Sequence, residues 1–274
     1  MSWRMSASLQ PLFIGSDKPR YRPMAAWLET QHSDCYNFAM TRQALRCDLC
    51  AVRDQAACAA LDIRERHALA KLGHHRALRR GETVFAAGDD NAIAATLTKG
   101  VLKISSFDED GTEHIVSLVH PAGFAGELFT PLVHHDVVAL TDCELCVFPR
   151  EHYEQALERF PELGRALLRR SSQDLLDTRS LLAAVTSRRA GQRVTGFLLA
   201  MGYAANGVEC HPANEFDMVL TRGEVASLLG LTIETVSRQL SKLERDGVIR
   251  RRGARGIQLV NAGQLRTLAS SGRT

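Results

Sequence analysis

The spacing of apolar residues changes character along this chain, and each change predicts a different element. Ile63, Leu69 and Leu72 predict one helix over Asp62–Leu72. From Leu78 to Phe148 the pattern becomes short runs broken by turn residues. Thr83-Val84-Phe85 precedes Gly88-Asp89-Asp90, and Thr96–Thr98 precedes Lys99-Gly100. Val101–Phe107 precedes Asp108-Glu109-Asp110-Gly111, and His114–Val119 precedes Pro121-Ala122-Gly123. Strands at this spacing, joined by Gly/Asp turns, predict a small antiparallel sandwich or barrel. About Pro161 to Thr186 a long helix follows, with positions 168, 171, 175, 178, 182 and 185 stepping by three and four as a heptad seam. Leu168, Leu175 and Leu182 fill one seam position; Ser171, Thr178 and Val185 fill the other. Such a stripe packs either on its own β domain or on the same stripe of a second copy. As a dimer helix it would be weak, because Ser171 and Thr178 interrupt it with Asp174 and Asp177 close by.

Past this helix the signals are sharper. Thr221-Arg222-Gly223-Glu224 is a capping box that starts a helix through Val225, Leu228 and Leu229 to a turn at Gly230-Leu231. Thr232 caps a second helix, in which Ile233, Val236, Leu240 and Leu243 form one buried stripe. Glu234, Ser237, Arg238, Ser241 and Lys242 lie on its other face. Two short helices across a glycine turn, the second polar outside, make a helix-turn-helix. Its polar face suits bases: Arg pairs with guanine, Glu accepts from cytosine, and Ser serves base or phosphate. With the capping Thr232, these are the candidate DNA contacts. Asp246-Gly247 then leads into Val248-Ile249-Arg250, and Gly256 into Ile257–Val260. That predicts a two-stranded wing, with Arg250, Arg251, Arg252 and Arg255 available for phosphates.

Charge sharpens this picture. From Thr186 onward 13 Lys and Arg oppose 7 Asp and Glu, a net of +6; the rest of the chain holds 21 against 24, a net of −3. A basic C-terminal third suits a protein that places one end on a phosphate backbone. No run approaches the roughly 20 apolar residues of a membrane span, and Met1–Gly15 has no apolar core of a signal peptide. The expected location is therefore cytoplasmic. An enzyme is not expected, since His74-His75 and His134-His135 lack a spaced carboxylate of the kind found in metal hydrolases.

Seven cysteines, an odd number without an export signal, argue against a disulfide framework. Cys47-Asp48-Leu49-Cys50 presents two thiolates from one turn, and Cys58 follows after seven residues. Zinc and iron–sulfur clusters both favour thiolate, so spacing alone does not choose between them. Cys143 or Cys146 could supply a fourth ligand, and on a strand they face opposite sides. An electron-transfer role does not fit, because ferredoxin spacing is compact and the fourth cysteine here is about 90 residues away. Cys35, Cys210 and the N-terminal arm acquire no role.

Taken in order, the cysteine segment, β domain, long helix and winged helix-turn-helix resemble the Crp/FNR superfamily of transcriptional regulators over about Arg46 to Val260. The stretch Leu231-Thr232-Ile233-Glu234-Thr235-Val236-Ser237-Arg238 is similar to the recognition helix of the FNR-type branch. The resemblance implies an α+β fold: an N-terminal antiparallel β-roll of cyclic-nucleotide-binding type, a long dimerisation helix and a C-terminal winged helix-turn-helix. The matching domains are an irregular arm (1–45), the cysteine segment with its β-roll (46–160), the dimer helix (161–187) and the DNA-binding domain (188–274). It implies a homodimer joined through Leu168, Leu175, Leu182 and Val185, with recognition helices about 34 Å apart on a two-fold operator. Glu234, Ser237 and Arg238 would read a TTGAT-type half-site on double-stranded DNA, with RNA polymerase as a partner. It also implies a [4Fe–4S] cluster on Cys47, Cys50, Cys58 and Cys146, with oxygen degrading the cluster and weakening the dimer. The third cysteine stands two residues further on than in the enterobacterial members. The cyclic-nucleotide branch holds its phosphate with a Gly-Glu-Leu segment and a following Arg-Ser pair. Gly126-Glu127-Leu128 is present, but Phe129–Leu140 contains no arginine, so no cAMP response is expected.

Overall fold

In the computed structural model, residues 43–187, 189–206 and 211–270 are described. Cys35, Cys210 and the arm before residue 43 lie outside them.

The chain starts with β1 (Gln43–Ala44), a 3-10 turn at Cys47–Leu49 and a second at Ala57–Ala60. Helix α1 (Ile63–Ala70) is fixed by a capping box, Asp62 accepting from the Glu65 N–H and Glu65 from the Asp62 N–H. The β domain follows as β2 (His74–Leu78), β3 (Thr83–Phe85), β4 (Ile93–Lys99), β5 (Leu102–Phe107), β6 (Glu113–Val119), β7 (Phe124–Ala125), β8 (Asp136–Ala139) and β9 (Cys143–Pro149). Helices α2 (Arg150–Arg159) and α3 (Pro161–Ser187) lead to α4 (Ala190–Asn206), β10 (Glu215–Asp217), α5 (Arg222–Leu229) and α6 (Ile233–Arg245). The wing strands β11 (Ile249–Arg252) and β12 (Gly256–Leu259) precede α7 (Ala262–Ser270).

Two antiparallel sheets make the β domain, one ordered β1-β2-β9-β4-β7 and the other β3-β8-β5-β6. Between them lie Leu97, Leu102, Leu145, Val147 and Cys143, all nearly inaccessible. Strand periodicity then decides what the outer face of the first sheet offers. Leu145 and Val147 of β9 point to this core, whereas Cys146 and Phe148 point the other way. There Ala94, Leu61, Leu69, Tyr153, Phe160, Leu163 and Leu167 form a second cluster with Cys58 and Cys146. The cysteine segment, α1, α2 and the first turns of α3 thus share one core.

The four strands anticipated up to Val119 are present, and the wing strands too. Sequence reading missed β1, β2, β10 and three helices. His74 and His75, read as surface residues, pair in β2 with Val147 and Cys146 of β9. Helix α4 buries Val194, Phe197 and Leu198 beneath α5 and α6. Both predicted caps are observed: Thr221 and Glu224 exchange hydrogen bonds, and Thr232 accepts from the Thr235 N–H at 3.3 Å. Gly230 ends α5 in the left-handed region (φ 58), where a Cβ would also meet the Val185 side chain at 3.0 Å.

Candidate functional site

Four thiols border one pocket. The turn closed by the Cys50 N–H on the Cys47 carbonyl presents Cys47 and Cys50, the second 3-10 turn presents Cys58, and β9 presents Cys146. All four are half-buried free thiols, and the walls between them are Val52, Ala56, Leu69, Phe148 and Tyr153. Cys143 is excluded: it faces the inner core and donates its S–H to the Val101 carbonyl. Burial, reinforced by Cys47 and Cys50, pushes the Cys58 thiol up to about 11. Burial together with Cys50, Cys47 and Cys58 pushes Cys146 up to about 12.

The donor set tests what this pocket could hold. Besides thiols its polar side chains are Thr96, Thr98, Tyr153, Arg53 and Arg66, with no carboxylate. A hard cation is therefore unsuited, and a thiolate-bound, negatively charged group fits. A single zinc ion would need its sulfurs about 3.8 Å apart, from bonds of about 2.3 Å. Among the described residues no three Cys, His, Asp or Glu converge on one ion in that way. The four thiols are the side chains of this pocket that could hold a thiolate-bound group.

The DNA-reading candidates lie together on α6. Thr232, Glu234, Arg238 and Lys242 are exposed, with Ser237 and Ser241 half-buried beside them. The opposite face buries Val236, Leu240 and Leu243, so the helix is held from behind, whereas Ile233, expected in the same stripe, is exposed at the start of the helix. Arg193 of α4 donates to the Leu229 and Gly230 carbonyls at 3.1 and 3.3 Å, supporting the turn between α5 and α6. The wing is less free than its sequence suggests. Arg251 bonds the Glu244 carboxylate at 2.7 Å and Arg252 lies 3.8 Å from Glu215, which leaves Arg250 and Arg255 directed to solvent.

On α3, Leu168, Leu175 and Leu182 are exposed, at 68%, 50% and 62%. Val185, expected in the same seam, instead turns toward Gly230 and a groove shared with Leu181, Phe197 and Leu228. The helix drifts against a strict heptad, and the DNA-binding domain captures its last turn.

These features have counterparts elsewhere. Residues 192–268 match the Crp-like helix-turn-helix domain, and residues 75–160 match the cyclic nucleotide-binding domain. The transcriptional activator protein FnrL of Cereibacter sphaeroides is 32% identical over 223 residues, covering 80% of this chain and 90% of that protein. The chain belongs to the Crp/FNR superfamily. Within it the relatives are of the FNR type. The nitrogen fixation regulation protein FixK of Bradyrhizobium diazoefficiens is 29% identical over 226 residues, 82% of this chain and 94% of that one. The transcriptional activator Anr of Pseudomonas aeruginosa is 28% identical over 198 residues, 71% and 80% of the two chains. Among solved structures, FixK2 from Bradyrhizobium japonicum superposes with a TM-score of 0.65 at 23% identity, covering 73% of this chain and 99% of that one. Like the rest of the Crp/FNR superfamily, the chain is a DNA-binding regulator and not an enzyme. No described helix is long and apolar enough to cross a membrane.

Proposed function

We propose that this Crp/FNR protein is a cytoplasmic homodimeric regulator that senses oxygen through a [4Fe–4S] cluster held by Cys47, Cys50, Cys58 and Cys146. The carrying observation is the thiol-lined pocket itself, with the two cysteine turns, α1 and strands β4 and β9 of the β-roll meeting there. Bound in it, the cluster would supply an oxygen-labile inorganic group. The residues supply the rest. The thiols bind as thiolates, giving up protons that burial holds on Cys58 and Cys146. Tyr153 and Phe148 exclude water from the inner wall.

The Cys58 turn packs in the same core as Leu163 and Leu167, the first two turns of α3. Order in the cysteine segment is therefore transmitted to the helix whose outer face carries Leu168, Leu175 and Leu182. In the dimer these leucines pair with their copies, and each α6 enters a major groove with Glu234, Ser237 and Arg238 on a TTGAT-type half-site. Thr232, Ser241 and Lys242 flank them, and RNA polymerase is recruited beside the operator. No cAMP response is part of this reading. The Glu127 carboxylate is already engaged by His134 and by His135, and no arginine follows to hold a phosphate.

A titration of anaerobically purified protein on a duplex with two inverted TTGAT half-sites tests the reading. Tight binding and brown absorption at about 400 nm, both lost in air, are expected. Binding indifferent to air would overturn the oxygen-sensing part, and no binding to this duplex would overturn the half-site.

A further inference from the structure

Two guanidinium groups border the thiol pocket, and their surroundings differ. Arg53 is neutralised by its neighbour Asp54 at 3.1 Å. Arg66 has no carboxylate within ion-pair distance among the described residues. Its donors go instead to three backbone carbonyls around the third cysteine: Nε to Cys58 at 3.2 Å, and Nη2 to Ala59 at 3.4 Å and Leu61 at 3.1 Å. Arg66 itself is half-buried on α1, a helix whose capping box already employs Glu65. A planar guanidinium fork holds several acceptors in one rigid, pre-organised arrangement, which the compact ammonium on its flexible stem does not. Neutral carbonyls, however, do not cancel a full positive charge, and a partly buried cation without an anion is costly. The anion that its position suits is the set of thiolates beside it.

We propose that Arg66 is the positioning residue of the thiol pocket, pinning the Cys58 loop onto α1 and supplying the fixed countercharge for four thiolates around an iron–sulfur core. This rests on the iron–sulfur reading above. The two roles separate chemically. Arg66→Lys keeps the charge and loses the fork, whereas Arg66→Gln loses both.

The full chain and both variants are reconstituted anaerobically with iron and sulfide. Metal and sulfide content, reduction potential and the rate of bleaching in air are then measured. In the apo proteins, alkylation of Cys58 by iodoacetamide is followed by mass spectrometry. For Arg66→Gln the potential should fall, because reduction then adds an electron to a site without its cation, and bleaching should be about tenfold faster. Arg66→Lys should keep the wild-type potential. In Arg66→Lys, which keeps the charge beside the thiol, Cys58 alkylation should be faster, by about tenfold if local opening is freed by a little over 1 kcal/mol. Wild-type potential and bleaching in Arg66→Gln would overturn the countercharge role. Wild-type alkylation in Arg66→Lys would overturn the positioning role. A wild-type chain that takes up no iron and sulfide would overturn the iron–sulfur reading and the countercharge with it, while the alkylation rates still decide the clamp. Should Arg66→Gln not fold, as circular dichroism would report, Arg66→Lys carries the test through its alkylation rate and unchanged potential.

Discussion

His120 shows how a single buried group sets a pH dependence. It borders the groove beneath α3, where burial and then the Arg170 charge hold its pKa below the ordinary 6.5. Arg170 is paired with Asp174 at 3.1 Å, and Glu127, His135 and Asp177 line the same groove. A base with a lowered folded pKa stays neutral in the native state while the unfolded chain takes up the proton. Its contribution is present above pH 6.5 and is lost as pH falls through that value toward the folded pKa. The denaturation midpoint of the wild-type protein should therefore drop between pH 7.5 and 5.5, as set by that window, by more than that of His120→Gln. Parallel profiles would show that His120 is not the group responsible.

At the scale of elements, the β domain and the DNA-binding domain share an apolar cluster, with Ile115 and Leu140 beside Val225 and Leu228, and are joined by specific polar contacts. Strand β6 is the edge of its sheet. Its exposed backbone groups are satisfied by α5: the Ser227 hydroxyl donates to the Glu113 carbonyl at 2.7 Å and accepts from the Ile115 N–H at 3.0 Å. Beside it the buried Lys103 ammonium lies 2.8 Å from Glu113 and 3.3 Å from Glu224, the same glutamate that caps α5. Removing the lysine leaves two carboxylates facing each other in a poorly solvated place. Lys103→Met should cost about 3 kcal/mol and Ser227→Ala about 1–2 kcal/mol. In urea denaturation the double variant should lose less than the sum, because both contacts serve one docking. Strict additivity would mean that the two contacts act separately.

For the whole molecule, the exposed leucines of α3 are the consequential feature. Leu168 and Leu182 are large apolar side chains on a long helix with nothing of their own chain over them, a condition that a second copy relieves. Leu168→Glu with Leu182→Glu should leave the circular dichroism of the chain unchanged and yield a monomer in sedimentation. Operator affinity should fall at least about 100-fold, because the two half-sites would no longer be bound as one. A variant that sediments as the wild type would place the dimer contact elsewhere. Val185 is omitted from this test because it already packs against the Gly230 turn.

The sequence by itself determined the local elements and their chemistry. The caps at Thr221 and Thr232, the stripe Val236-Leu240-Leu243 and the Gly230 turn are short-range, so they were legible without a fold. The Cys-x-x-Cys turn was legible for the same reason. Strand β2 was not, since His74-His75-Arg76 carries no apolar alternation and becomes a strand through its pairing with β9. Helix α4 gave a weak signal because it is apolar on several sides and buried between partners distant in sequence. Which of Cys143 and Cys146 meets the other thiols was decided by the face of β9 that the inner core claimed. The roles of Arg66, Lys103 and Ser227 likewise belong to the tertiary structure. Each acts on residues brought beside it by packing, and periodicity carries no information about a partner on another element.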